Sequence, residues 1–186
     1  MHTPRSKTLQ TGEGLAFRRT IEKWQPLLEG TGLRLALENK AIRTEDDRTY
    51  VLTPLEHLRA FADRYQLDLV LDTVHAATAG EDLFEARNLF DSRLANVHLS
   101  DLGGSVPLGS LPFLRKGIGQ HQFPGTGDLP LVQFLHSLAT DGYAGPITLE
   151  VNPFAVRFWW PPAARRYLHR AVDWLSNAIR FGPAKP

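Results

Sequence analysis

An α/β fold with a parallel sheet is the architecture this 186-residue sequence predicts. Four short apolar runs read as buried parallel strands, which are near-continuous in apolar residues: Leu35-Ala36-Leu37-Glu38, Leu69-Val70-Leu71-Asp72, Asn96-Val97-His98 and Ile147-Thr148-Leu149-Glu150. The segments between them carry apolar residues at helical spacing, and strands alternating with helices imply crossover connections between parallel neighbours. Each run also ends in Glu, Asp or His. One such ending is commonly no more than a polar residue at a strand exit or a helix cap. Four of them describe a mononuclear metal site, because folds built from β/α units gather functional side chains where their strands end.

Ahead of the first strand, Phe17, Ile21, Trp24 and Leu28 recur at helical spacing, and Pro26 is expected to kink or shorten that helix. Thr53-Pro54-Leu55-Glu56 reads as a capping box with proline at the first helical position, followed by the apolar face Leu55, Leu58, Ala62 and Tyr65. The next helix starts near Asp82 and is expected to bury Leu83, Ala86 and Phe90. From about Ser100 to Gly127 the chain is rich in Gly and Pro and too long for a plain connector, which suggests a functional loop over the site. Asp128 is expected to cap a helix using Leu131, Leu135 and Leu138. An aromatic stretch, Phe158-Trp159-Trp160-Pro161-Pro162, read as packing, leads into a last helix with the face Leu168, Ala171, Val172, Leu175 and Ile179.

Four strands make half of a closed (β/α)8 barrel, which typically needs about 250 residues. The expectation is one incomplete barrel domain spanning 1–186. Its open sheet edges call for either a homodimer or a missing N-terminal half.

Lys and Arg total 21 against 20 Asp and Glu, a formal charge of +1, so there is no global footprint for nucleic acid. The sequence has no cysteine, which removes thiolate ligands and suits a reducing cytosol. With no long apolar run and no signal-like N-terminus, a cytoplasmic protein without membrane contact is expected. Three carboxylates and one imidazole with open positions suit Mn²⁺, Mg²⁺ or Co²⁺, with Zn²⁺ behind them. Such an ion can chelate the carbonyl and adjacent hydroxyl of a ketose or keto-polyol, and Glu38 and Glu150 can then serve as general base and acid. Action on opposite faces gives an epimer, a single shuttling base an aldose–ketose isomerisation, and loss of a β-hydroxyl a dehydration. His75, three residues past Asp72, is placed to donate to a substrate oxygen, and His121, in the long loop, to contact substrate or a second metal. Asp101 is as well suited to hold a neighbouring His or a loop amide as to touch substrate. His57, His136 and His169 fall on helices and face solvent, and Lys40 and Arg115 read as solvated charges.

A set of motifs resembles the xylose-isomerase-like TIM barrels, a superfamily that includes sugar isomerases and epimerases, inosose dehydratases and the endonuclease IV type of abasic-site nuclease. The motifs are Ala36-Leu37-Glu38-Asn39, Leu71-Asp72-Thr73-Val74-His75, Asn96-Val97-His98-Leu99-Ser100-Asp101, His121 with Pro124-Gly125-Thr126-Gly127-Asp128-Leu129, and Gly142-Tyr143-Ala144-Gly145-Pro146-Ile147-Thr148-Leu149-Glu150. The resemblance covers about Glu13 to Ile179. It implies that the strands are barrel strands five to eight, and that Met1-His2-Thr3-Pro4 is the tail of strand four. By the sugar epimerase pattern it makes Glu38, Asp72, His98 and Glu150 the metal ligands and His75 a group facing the substrate. Nuclease-type members carry an Asp two positions before the loop His; here that position is Gly119, which favours a one-metal isomerase or epimerase over a phosphodiesterase. The rival readings are that nuclease and an inactive truncated barrel.

Overall fold

The computed structural model describes residues 1–103 and 119–182, so Arg115 and the middle of the long loop lie outside the described residues. Two compact units are formed by Met1–Val97 and His98–Pro186. The sheet has four strands in the order β1-β2-β3-β4: β1 (Ala36–Glu38), β2 (Asp68–Asp72), β3 (Leu94–Leu99), which straddles the boundary between the units, and β4 (Ile147–Leu149). Neighbours in the sheet are thus neighbours in sequence, as helical crossovers between parallel strands require.

In the first unit, β1 and β2 are parallel, with Ala36 opposite Asp68, Leu37 opposite Leu69 and Glu38 opposite Val70. All five residues of β2 are buried, the signature of a strand covered on both faces. The Glu38 amide points away from β2 and donates to the Met1 carbonyl at 3.1 Å, and His2 bridges Glu38 in parallel, so the first residues of the chain occupy the other edge of β1. Helix α1 (Gly12–Leu28) runs through Pro26 instead of stopping at it. Only two residues follow the proline, so the missing N–H costs little helix. Of the expected apolar positions on α1, Ile21 is fully buried while Trp24 is about half exposed.

The expected cap at Thr53 is a correction. Helix α2 (Leu55–Arg64) begins one residue later with Pro54 at its N-cap, because the Thr53 hydroxyl donates instead to the Asp47 carbonyl at 2.7 Å. The capping box lies upstream, where Thr44 and Asp47 start a 3₁₀ turn over Glu45–Thr49. The α2 face is as read, with Leu55, Leu58 and Ala62 buried and Phe61 joining them. Helix α3 (Thr73–Ala79) was not foreseen; it leaves β2 directly and ends at Gly80, whose φ of +83° suits the left-handed C-terminal position. Helix α4 (Leu83–Phe90) follows the reading: Asp82 caps it by accepting the Phe84 and Glu85 amides at 2.8 and 3.0 Å, and Leu83, Ala86 and Phe90 are buried.

In the second unit, helix α5 (Leu131–Thr140) buries Leu131, Phe134, Leu135 and Leu138. Its N-cap is Pro130, not Asp128, whose own amide is drawn to the Leu102 carbonyl at 2.9 Å. Helix α6 (Pro161–Phe181) also departs from expectation: it buries Ala163, Ala171 and Ala178, while Leu168 and Val172 are half exposed. Phe158, Trp159 and Trp160 are likewise exposed, and Phe158 and Trp159 pack edge-on against each other at 5.6 Å instead of into a core. Among the described residues no helix is long and apolar enough to cross a membrane.

Candidate active site

The first unit places Glu38 and Asp72 at the last positions of β1 and β2. Both are buried, at 4% and 0% exposure. Between them Asn39, itself buried, extends the ladder with its side chain: Oδ1 accepts the Asp72 amide at 2.7 Å and Nδ2 donates to the Asp72 carbonyl at 3.1 Å. An amide side chain thus supplies the rung that β1 is too short to make, and it fixes the backbone carrying Asp72. Asp72 also begins α3, accepting the His75 amide on Oδ1 at 2.7 Å. That cap turns the His75 ring back toward β1, where Nδ1 lies 2.9 Å from the Asn39 carbonyl and 3.5 Å from Glu38 Oε1. The other Glu38 oxygen lies 3.0 Å from His2 Nδ1.

A carbonyl oxygen only accepts, so His75 Nδ1 carries a proton. In the neutral ring Nε2 is then an acceptor, and in the protonated ring both nitrogens donate. Lys40, two residues past Glu38, is not a plain solvated charge. Its ammonium sits 4.9 Å from the Tyr50 ring centre, and burial, reinforced by Arg5, pushes its pKa down.

The second unit brings His98 and Glu150 together. His98 is the penultimate residue of β3 and Glu150 follows β4 by one. The Glu150 amide donates to the Leu99 carbonyl at 3.2 Å, which sets the carboxylate beside the imidazole, with Glu150 Oε2 2.7 Å from His98 Nδ1. Two residues beyond His98, the hydroxyl of fully buried Ser100 lies 3.0 Å from His121 Nδ1. Asp101, also fully buried, accepts four backbone amides: Leu102 and Leu129 on Oδ1 at 2.9 and 3.1 Å, and Gly125 and Gly127 on Oδ2 at 2.9 Å each. Asp101 therefore organises the Pro124–Leu129 turn, the loop-amide role among those open to it. A Cβ on Gly127 would run into the Asp101 carboxylate, which is why the turn needs glycine there. His57, His136 and His169 are exposed on their helices, as read.

Two contributors escaped the sequence reading. Asn39 and Ser100 each follow a strand end, and the signal was present as a short hydrogen-bonding side chain just beyond an apolar run, a place where a loop residue is equally common.

Residues 1–178 match the family described as Xylose isomerase-like TIM barrel. The chain belongs to this family. Among its relatives, the inosose dehydratase of Mesomycoplasma hyopneumoniae strain 7448 is 30% identical over 141 residues, covering 70% of this chain and 44% of that protein. Among solved structures, D-psicose 3-epimerase from Clostridium cellulolyticum H10 superposes with a TM-score of 0.65 at 17% identity, over 91% of this chain and 58% of that one. D-Allulose 3-epimerase from Methylomonas sp. gives 0.61 at 19%, over 90% and 57%. At these identities the structural likeness concerns the fold. This xylose isomerase-like chain spans less than half the length of the curated relatives it matches, 27% to 44%.

Proposed function

We propose that the protein is a divalent-metal-dependent sugar or polyol isomerase or epimerase that works by proton transfer beside a carbonyl group. One observation carries the reading: four successive strands of one sheet end in Glu38, Asp72, His98 and, one residue past β4, Glu150. In this proposal the four hold a single Mn²⁺, Mg²⁺ or Co²⁺, with Zn²⁺ the weaker fit. The donor set suits such an ion, since three carboxylates and one imidazole make an oxygen-rich shell. The local architecture supports it too, because Asn39 and the α3 cap hold Asp72 rigidly and the β3–β4 pairing holds Glu150 to His98. The same proposal takes residues 1–186 as the C-terminal half of a barrel, β1 to β4 being its strands five to eight.

When bound, the ion polarises a substrate carbonyl and so acidifies the neighbouring C–H. Glu38 removes that proton and Glu150 returns one, or the reverse, each carboxylate acting as base in one direction and acid in the other. His75, held through Nδ1 by Asn39, accepts from a substrate hydroxyl through Nε2. The Gly119 carbonyl accepts the Gly103 amide at 2.9 Å, and glycine brings no carboxylate for a further metal there.

The experiment is metal analysis joined to isotope exchange. After dialysis against Mn²⁺ the protein should retain about one ion per chain, and His98→Ala and Glu150→Gln should each lose it. In heavy water, ketoses or keto-inositols should gain deuterium next to the carbonyl, with Glu38→Gln slower by at least about 10²-fold. Metal content untouched by both ligand changes would overturn the site. Nicking of an abasic duplex with no exchange on any sugar would replace the isomerase reading with a nuclease.

A further inference from the structure

Lys40 reads in the sequence as a solvated charge, but the fold surrounds it with groups that spacing along the chain does not bring together. Three segments of the first unit meet around Tyr50. The Val51 amide donates to the Ser6 carbonyl at 2.8 Å, which brings the Arg5 backbone to this turn, and Lys7 pairs with Asp46 at 3.1 Å. The half-buried Lys40 ammonium stands 4.9 Å from the centre of the Tyr50 ring. Arg5 and Arg43 are both near enough to oppose the charge on Lys40, whereas the carboxylates that favour it are Asp47 and Glu13. Those carboxylates are already engaged by the backbone. Asp47 accepts the Arg43 and Thr44 amides at 2.9 and 2.8 Å together with the Thr44 hydroxyl, and Glu13 accepts the Arg5 amide at 3.0 Å. Asp46 is held by Lys7 and by the Tyr50 hydroxyl, 3.0 Å away. Three cations thus share this neighbourhood with two carboxylates, and among the described residues no ion pair or side-chain hydrogen bond engages the head of Arg5, Lys40 or Arg43.

We propose that Arg5, Lys40 and Arg43 form an oxyanion site beside the end of β1 that takes a phosphate group. The three heads suit that chemistry: each guanidinium presents paired N–H donors that match phosphate oxygens, and the ammonium adds a compact charge. A dianion also relieves the repulsion among the cations. At the half-buried Lys40 it supplies a counter-charge that the ring face of Tyr50 replaces only in part. Lys40 follows Glu38 by two residues, so the site borders the carboxylate proposed to move the proton. Arrival of the phosphate on the reacting sugar or polyol rests on the proposed function; the oxyanion site does not.

The test is ³¹P NMR titration of the full chain, stripped of metal so that no ion can hold the phosphate instead, with inorganic phosphate and with fructose 6-phosphate. Wild type should bind phosphate saturably. Arg5→Gln, Lys40→Gln and Arg43→Gln should each weaken binding roughly fivefold or more. Lys40→Arg, which keeps the charge, should stay within about twofold, and Arg19→Gln, which removes an equal charge from α1, should leave binding unchanged. All four side chains are at least partly exposed, so the variants should fold as wild type does. Heavy-water exchange on fructose and fructose 6-phosphate, with Mn²⁺ restored, separates the sources of the phosphate. Tighter binding of fructose 6-phosphate than of inorganic phosphate, with a KM for its exchange that rises in the three Gln variants while exchange on fructose holds, assigns the group to the sugar. Equal affinity for the two assigns the site to free phosphate. Absence of saturable binding, binding indifferent to all three Gln variants, or equal weakening by Arg19→Gln would overturn the inference. Phosphate binding that follows the expected pattern, with no exchange on either sugar, would sink the isomerase and leave the oxyanion site intact.

Discussion

Replacing Asp101 with asparagine should loosen the Pro124–Leu129 turn more than any surface change of similar size. The carboxylate is fully buried and divides its work evenly, Oδ1 taking the Leu102 and Leu129 amides and Oδ2 those of Gly125 and Gly127. An asparagine side chain can serve one pair through its carbonyl. Its NH₂ group then faces the other pair, donor against donor. Two charge-assisted bonds are lost, each worth about 1.5–3 kcal/mol, for an upper figure of roughly 3–6 kcal/mol. Gly125 is exposed and Gly127 half-buried, so water can take up part of the deficit and the expected cost settles at about 2–4 kcal/mol. Because the chain forms two units, the local consequence is best read by amide hydrogen exchange. At tenfold per 1.4 kcal/mol, protection of one glycine pair or of the Leu102–Leu129 pair should fall roughly thirtyfold to a thousandfold. Which pair suffers reports how the asparagine seats. Unchanged protection at all four amides, with an unchanged urea midpoint, would refute the account of Asp101 as the organiser of the turn.

Much of this was legible in one dimension because the controlling interactions are local or periodic. Apolar runs marked β1 to β4, and Glu38, Asp72 and His98 stand within one residue of the strand ends where those runs stop. Asp82 acts as the cap its sequence context suggests because its carboxylate bonds the Phe84 and Glu85 amides in the first turn of its own helix. The failures have the opposite character. The Thr53 hydroxyl turns to the Asp47 carbonyl, and the Asp128 backbone is drawn to Leu102, so in both places a partner from another segment displaces a locally plausible cap. Asp72 hid α3 because one residue serves as both strand end and N-cap, and a seven-residue helix is too short to show a period. The face of α6 was misjudged on residue size: its buried stripe is made of alanines, which allow close approach, while the larger Leu168 and Val172 point outward. Asn39 shows the limit most plainly, since a side chain replacing a backbone rung depends on the register of β1 against β2, which no spacing within either strand encodes.

Two further outcomes follow from side chains away from the proposed chemistry. Asp82→Ala removes both acceptor bonds at the start of α4 and should cost about 1 kcal/mol, within 0.5–2, in urea unfolding; Asp82→Asn should keep most of it, and equal loss in the two variants would show that the cap is not the cause. The last concerns acid. Burial alone would raise the Asp47 carboxyl, but hydrogen bonds from the Thr44 and Arg43 amides and the Thr44 hydroxyl, with the charge of Lys40, outweigh it and hold the pKa below its ordinary value. A carboxyl whose folded pKa is depressed contributes stability that is complete above the unfolded value, about 4, and disappears as the pH falls through the folded one. The advantage of wild type over Asp47→Asn should therefore be level from pH 7 to about 5 and shrink progressively below about 4. Urea midpoints across that range measure it, and an advantage that stays constant down to pH 3 would mean that the ionised Asp47 carboxylate is not what the 3₁₀ turn depends on.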